Sequence, residues 1–235
     1  MFKGRVLLMF LLFAVARLSA QHQWFKHVSK DSIWAFADSA NRISTTSEDS
    51  LRLHQFAYVM RFYSNLPVKA IKIEYRFSKH TVVTKPKLFS LFKDAEQRVY
   101  RVRFSKSTAS AMDSVLISTL SFDSQLGLIA NQFSIIEDLS TGGFFNYLKF
   151  YFRSLTPKGR NKTYHEAEER TLEVGLGHQL LAYNLEFAER LKIENWQSTQ
   201  GYSTYIKYYR NRSMKTDLVR TFLIDLPVYV QHTYR

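Results

Sequence analysis

The fold is decided first by residues 127–135, which read Gly127-Leu128-Ile129-Ala130-Asn131-Gln132-Phe133-Ser134-Ile135. Around them, apolar side chains recur every three or four residues, which is the spacing of one face of a helix. This apolar stripe comprises Phe122, Leu126, Ile129, Phe133, Ile136 and Leu139. We therefore predict a helix that ends before Gly142-Gly143. Asn131 and Gln132 interrupt it, and because buried amides need hydrogen-bond partners, this pair marks a candidate site.

Upstream of this helix the apolar residues follow a period of two, which is typical of half-buried strands. The alternating apolar residues are Ile71, Ile73, Tyr75 and Phe77 in one run and Tyr100, Val102 and Phe104 in another. Lysines and arginines occupy most of the intervening positions, and a β-branched run, Thr81–Thr84, lies between the two. We expect residues 70–106 to form a small antiparallel sheet with a basic solvent face. Helical spacing over residues 49–61 predicts a helix before it.

Downstream, the pattern is mainly helical. The apolar spacing predicts helices at about 112–140, at 144–155 as a short buried helix, and at 163–191 with interruptions at Gly175 and Gly177. A last apolar run, residues 222–230, is predicted as an edge strand because it contains Pro227. The predicted fold class is therefore α+β, with a small antiparallel sheet packed beside a helical core.

The first twenty residues have the layout of a secretory signal peptide. Lys3 and Arg5 precede an unbroken apolar run, Val6–Val15, and Leu18-Ser19-Ala20 then offers small residues for cleavage. The alternative is an uncleaved anchor, but a spanning helix needs roughly 20 apolar residues. We expect residues 1–20 to be removed and residues 21–235 to form one domain, exported to the periplasm or the cell envelope.

The charge balance favours anionic partners. The formal net charge is +13, and the chain contains no cysteine. Export makes nucleic acid an unlikely partner, so anionic envelope lipids or glycans are the better candidates. In the basic, Tyr-rich C-terminal part, Lys207, Arg210 and Arg212 alternate with aromatic residues and are candidate anion-binding residues. A basic surface without a specific partner is the alternative interpretation.

The order of these segments resembles exported bacterial zincin-like metallopeptidases. In both, a helix and a small basic sheet precede an apolar helix, an aromatic helix and an acidic helix, which here ends in Gly175-Leu176-Gly177. The resemblance covers roughly residues 70–220. In that family the helix after the sheet carries Gly-His-Glu-x-x-His, where both histidines hold zinc and the glutamate takes a proton from the metal-bound water. It implies a zincin-like architecture.

The resemblance also implies that the metal-binding chemistry is lost. The two His positions are occupied by Asn131 and Ile135, the general-base position by Gln132, and the third-ligand position by Glu168. An amide is a poor zinc ligand and cannot act as a base, and one carboxylate cannot hold catalytic zinc. The implied protein has no catalytic residue, metal or cofactor. It would bind an unknown protein or peptide through a degenerate cleft in the cell envelope.

Three other interpretations remain open at this stage. A working hydrolase could use a displaced metal site around His165, Glu168 and His178, which lie on the predicted acidic helix. A structural envelope protein could bind anionic lipid or glycan through its basic surface. The helix over 122–139 could also be a core helix of an unrelated fold.

Overall fold

A computed structural model describes residues 27–45, 49–108, 112–191 and 213–230. Within these ranges the α-helices are α1 (Ser50–Met60), α2 (Phe122–Ser140), α3 (Phe144–Leu155), α4 (Pro157–Glu173), α5 (Gly177–Arg190), α6 (Thr216–Asp225) and α7 (Pro227–Val230), and a 3₁₀ helix, Asp31–Arg42, precedes them. The strands are β1 (Ile43–Thr45), β2 (Ala70–Arg76), β3 (Val82–Pro86) and β4 (Val99–Ser105). The combination of a small sheet with a helical core confirms the coarse α+β prediction. The predicted signal peptide lies outside the described residues.

The sheet is mixed, so the prediction of an antiparallel sheet was wrong. Its strand order is β1-β2-β4-β3, with β1 parallel to β2 and β2 parallel to β4. Only the edge strand β3 runs antiparallel, to β4. The period of two shows which strand faces are buried but carries no information on direction. Residues 77–98 connect β2 to β4 and contain the edge strand β3. This connection is long enough for β4 to pair between β2 and β3.

The two faces of the sheet follow the alternation in the sequence. Tyr100, Val102 and Phe104 of β4 are buried, whereas the intervening arginines are half-buried. Arg103 is paired with Glu74 of the parallel neighbour β2 at 3.0 Å. The outer face is therefore less basic than its arginines alone suggest, because a carboxylate lies among them.

Helix α2 forms the centre of the core. Phe133 of α2 packs against Phe56 of α1 with ring centroids 5.6 Å apart, and Phe56 in turn meets Phe104 of β4 at 6.0 Å. All three side chains are fully buried. The aromatic contact therefore joins two helices and the sheet, which accounts for the apolar stripe predicted along α2.

The helix boundaries correct the sequence predictions in two places. Helix α2 begins at Phe122 rather than near residue 112, and only a short 3₁₀ turn, Asp113–Val115, precedes it. The predicted helix over 163–191 is divided into α4 and α5 by a turn in which Gly175 has a φ of 96°. This left-handed conformation disfavours side chains, so the glycine ends α4 there.

Two further expectations were wrong in burial or type. Helix α3 forms where the spacing predicts it, but none of its residues is buried. The run from Phe222 to Val230 continues α6 and forms α7, with Pro227 opening a helix instead of marking an edge strand. In the described part of the chain, the helices are all too short or too polar to cross a bilayer.

Glu186 of α5 holds the start of α2. Its carboxylate accepts hydrogen bonds from the backbone N–H of Ser121 at 3.0 Å and from the Ser121 hydroxyl at 2.7 Å. Arg190 also pairs with it at 2.6 Å. Burial alone raises the pKa of Glu186, but the hydrogen bonds from Ser121 and Ser124 outweigh burial and lower it to about 2, from an ordinary value of 4.5.

Replacing Gly127 tests how closely α2 and α5 approach each other. A Cβ at Gly127 would lie 2.1 Å from the backbone oxygen of Gln179, so Gly127→Ala must push the two helices apart. We expect a loss of about 3 kcal/mol or more in the free energy of unfolding, measured with urea. The control is Gly143→Ala, where a Cβ meets no atom within 4 Å and where the change should stay within about 0.5 kcal/mol. Equal stability of the two variants would contradict this packing.

Substituting Glu186 tests the carboxylate at the start of α2. Because its folded-state pKa lies below the ordinary value, its stabilisation is present above about pH 4.5 and is lost as the pH falls towards about 2. Glu186→Gln should lower stability at neutral pH and flatten the acid dependence in that range, as followed by urea unfolding midpoints. The exposed Glu189→Gln is the matched control on the same helix. Parallel acid profiles for wild type and Glu186→Gln would refute the assignment.

Candidate functional site

The four degenerate-cleft positions lie inside the protein. The exposed fraction is 4% for Asn131, 1% for Gln132, 4% for Ile135 and 0% for Glu168. The first three are on α2 and the fourth is on α4. A ligand could reach these side chains only by entering between the helices. In this structure they therefore belong to the protein interior.

Gln132 is held between α2 and the edge strand of the sheet. The Thr84 hydroxyl of β3 donates to Gln132 Oε1 at 3.0 Å, and Gln132 Nε2 donates to the carbonyl oxygen of Leu128 at 3.4 Å. A side-chain amide neither gains nor loses a proton near neutral pH, so this residue cannot serve as a general base. Its contacts instead join the helix to the antiparallel edge strand.

Asn131 is less completely bonded. Its Oδ1 atom is buried and has no hydrogen-bond partner among the residues that the structure describes. A buried acceptor without a partner lowers stability by about 1–3 kcal/mol. Packing alone therefore does not explain why an amide occupies this position in an otherwise apolar part of α2.

A chain of hydroxyl groups crosses the contact between α2 and α4. The Tyr63 hydroxyl, from the turn after α1, donates to the Ala130 carbonyl at 3.0 Å and lies 2.7 Å from Ser134 Oγ. Ser134 Oγ lies 2.9 Å from Thr171 Oγ1, which contacts the Ala167 carbonyl at 2.9 Å. These four contacts share only three hydroxyl hydrogens, so the groups act as one network.

Burial raises the pKa of Tyr63 well above its ordinary value, although the hydrogen bond with Ser134 acts in the opposite direction. The hydroxyl therefore stays protonated at physiological pH, and the network is a structural link rather than a proton acceptor. The sequence analysis missed it. The only local signal was Ser134 itself, a hydroxyl shortly after the two amides in an apolar stripe, and its partners lie far away in sequence.

Glu168 is committed to a backbone contact. One of its carboxylate oxygens accepts a hydrogen bond from the N–H of Met214 at 2.5 Å, which fixes the segment before α6 against α4. Glu168 lies one helical turn before Thr171 on α4, and Asn131 lies one turn before Ser134 on α2. Both predicted positions are thus within about one turn of the contact between Ser134 and Thr171.

The two histidines of the alternative metal site have separate surroundings. The Nε2 atom of His165 is buried without a hydrogen-bond partner in the described part of the chain, whereas the His178 ring meets the Tyr229 ring edge-on at 5.6 Å. His165, Glu168 and His178 do not form a group suited to a metal, and neither do any other three His, Asp or Glu side chains within residues 27–45, 49–108, 112–191 and 213–230. The proposed anion-binding residues, Lys207, Arg210 and Arg212, lie outside these ranges.

A surface that the sequence analysis did not single out lies on α3 and on the turn after β3. Its large apolar residues are exposed to solvent, and they are Leu88, Phe89, Phe92, Phe145, Phe152 and Leu155. We call this set the aromatic face. A usable signal was present in the sequence, because residues 144–152 place apolar side chains around most of the helix and leave few polar ones for a solvent side.

Comparisons with known proteins leave the family of the chain undecided. No protein-family model matches it, and neither the curated proteins nor the solved structures contain a significant match. The resemblance to zincin-like metallopeptidases therefore stays a hypothesis, which rests on the order of segments and on the residues quoted above.

The hydroxyl network can be tested at Tyr63. Tyr63→Phe removes one hydroxyl while keeping the ring, and it leaves the Ala130 carbonyl and Ser134 short of a partner. We expect the free energy of unfolding to fall by about 1–3 kcal/mol, measured with urea. Tyr151→Phe, at a half-exposed ring on α3, is the control and should leave stability unchanged. If Tyr63→Phe had the same free energy of unfolding as the wild type, the network would contribute nothing to stability.

Proposed function

We propose that this chain is an exported, non-catalytic relative of zinc metallopeptidases that acts by binding in the cell envelope. The single observation that carries the proposal is the chemistry at the predicted metal-binding positions. Asn131, Gln132 and Ile135 supply no imidazole and no base, and their side chains are buried among structural contacts. Glu168 alone retains a group that could bind a cation, and it is bonded to the backbone of Met214.

The arrangement of helices supports a zincin-like ancestry. The resemblance requires that the helix after the sheet pack against the later acidic helix, and α2 meets α4 at Ser134 and Thr171. The same helix also contacts the sheet, because Gln132 accepts a hydrogen bond from Thr84 of the edge strand. The incompletely bonded Asn131 is consistent with a position that once held a metal ligand. The hydrolase with a displaced metal site gains no such support.

Restoring the family motif tests the ancestry. In the triple variant Asn131→His, Gln132→Glu and Ile135→His, two imidazoles lie one turn apart on α2, and the carboxylate of Glu168 would serve as the third ligand in addition to its bond with Met214. We expect this variant to take up zinc stoichiometrically and to gain thermal stability that a chelator reverses. The wild type should take up none and should cleave no peptide with zinc supplied. Elemental analysis, thermal melts and a peptidase assay give the readouts.

The control is the triple variant with Glu168→Gln added. Glutamine can still accept the hydrogen bond from Met214, so folding is retained while the third ligand is weakened. We expect much weaker zinc binding from this variant. A folded triple variant that does not bind zinc would refute the zincin-like scaffold. A wild type that holds zinc or hydrolyses peptides would refute the absence of catalysis instead, so the two failures are distinguishable.

A further inference from the structure

Helix α3 presents its apolar side to solvent. Phe145 is 82% exposed, and Phe152 and Leu155 follow on the same side of the helix at intervals of three or four residues together with the half-buried Leu148. Surface helices normally bury their apolar stripe and expose their polar one. On α3 this arrangement is reversed, because the solvent-facing side is apolar. Such an exposed apolar patch indicates a contact with something other than water.

The inner side of α3 explains why the helix is held in this orientation. Arg153 points towards the body of the protein and pairs with Glu166 at 2.8 Å and with Asp138 at 3.6 Å. Tyr147 and Phe150 pack partly buried against the core. Because the polar anchor Arg153 and two aromatic rings face inwards, the remaining apolar residues must face outwards.

The turn after β3 extends the same surface. Phe92 stacks on Phe144 with ring centroids 4.9 Å apart, and this contact fixes the turn beside the first residue of α3. Phe89, 76% exposed, and Leu88 lie in the same turn. Two separate segments of the chain therefore contribute to the aromatic face. A chance apolar residue in one segment would not explain exposed apolar side chains in both.

Lysines and arginines outnumber acids beside the apolar residues, although the exposed Asp94 and Glu96 follow Lys93. Residues 85–93 read Lys-Pro-Lys-Leu-Phe-Ser-Leu-Phe-Lys, and residues 144–162 contain five lysines and arginines. Neither stretch contains an aspartate or a glutamate. Lys87, Lys93 and Lys149 are exposed beside the aromatic face, and the chain as a whole has a formal net charge of +13. Together these features make a surface that is apolar at its centre and positive around it.

We propose that the aromatic face docks onto the surface of an anionic lipid bilayer. Phenylalanine and leucine side chains enter the boundary between headgroups and acyl chains, while lysines remain at the level of the phosphates. Each exposed cation near an anionic leaflet adds attraction. A protein partner would also cover apolar surface, but the excess of exposed lysines, Lys87, Lys93 and Lys149, matches a phosphate-rich plane directly. This inference does not depend on the zincin-like scaffold.

A site-specific label tests the docking because the chain contains no cysteine. A fluorophore on Phe152→Cys reports on the aromatic face, and one on Ile224→Cys, an exposed position on α6, is the matched control. Vesicles contain either equal parts of phosphatidylglycerol and phosphatidylcholine or phosphatidylcholine alone. With the anionic vesicles we expect quenching by acrylamide to fall at least about threefold at position 152 and to stay unchanged at position 224.

The full chain is used throughout, so its N-terminal apolar run is common to both labelled variants. If that run alone carried the chain to vesicles, positions 152 and 224 would respond alike, and this would overturn the proposal. The proposal would also be overturned if acrylamide still quenched the label at position 152 with anionic vesicles present. Equal protection by vesicles of phosphatidylcholine alone would overturn it as well. Protection at 152 before lipid is added, with a doubled mass in light scattering, would show a second copy on the face and overturn it too.

A second variant set separates docking from a change in fold. A label on Leu155→Cys should lose its protection when Phe145→Ser and Phe152→Ser are added. It should keep its protection when Phe77→Ser is added, because Phe77 is an exposed phenylalanine outside the aromatic face. All of these side chains are exposed, so thermal melting should be unaffected. Protection that persists without both phenylalanines would refute the proposed contact.

Discussion

The structure depends on the burial of one helix, α2, between the sheet and the pair α4 and α5. On the sheet side, Phe133 interlocks with Phe56, which contacts Phe104. On the other side the absence of a side chain at Gly127 lets the backbone of α5 approach it directly. Both contacts are short-range packing interactions, so the position of every residue along α2 is set to within a fraction of a turn.

That constraint explains the nature of the candidate site. Because α2 is covered on most of its circumference, its polar side chains find partners mainly in neighbouring elements, and the Oδ1 atom of Asn131 has none among the described residues. Gln132 finds Thr84, and Ser134 finds Tyr63 and Thr171. These bonds fix the sheet and α4 relative to α2, and they use groups whose protonation does not change near neutral pH. Polar residues inside this protein therefore serve architecture, whereas its exposed chemistry is apolar and basic.

Sequence reasoning reached the existence of β2, β3 and β4 and of α1 to α3, because periodicity is a local property. It did not predict β1, which has only three residues. It could not give the direction of the strands, since the side-chain alternation in β2 and β4 is the same in parallel and antiparallel pairs. It assigned α3 to the interior because the helix is apolar, although Arg153 and its acidic partners hold that apolar side outwards. For the site, it identified Asn131 and Gln132 as unusual. It did not identify the hydroxyl network, whose outermost members, Tyr63 and Thr171, are 108 positions apart in the chain.

The sequence by itself determined β2, β3 and β4, the helices α1 to α3, the central amide pair and the strong positive charge. These follow from residue identity and spacing alone. Only the tertiary structure decided which polar groups pair, that α4 ends in a left-handed turn at Gly175, and that the aromatic face meets solvent. The physical reason is that burial and hydrogen bonding are properties of elements brought together, and a side chain's own sequence neighbours do not specify what will cover it.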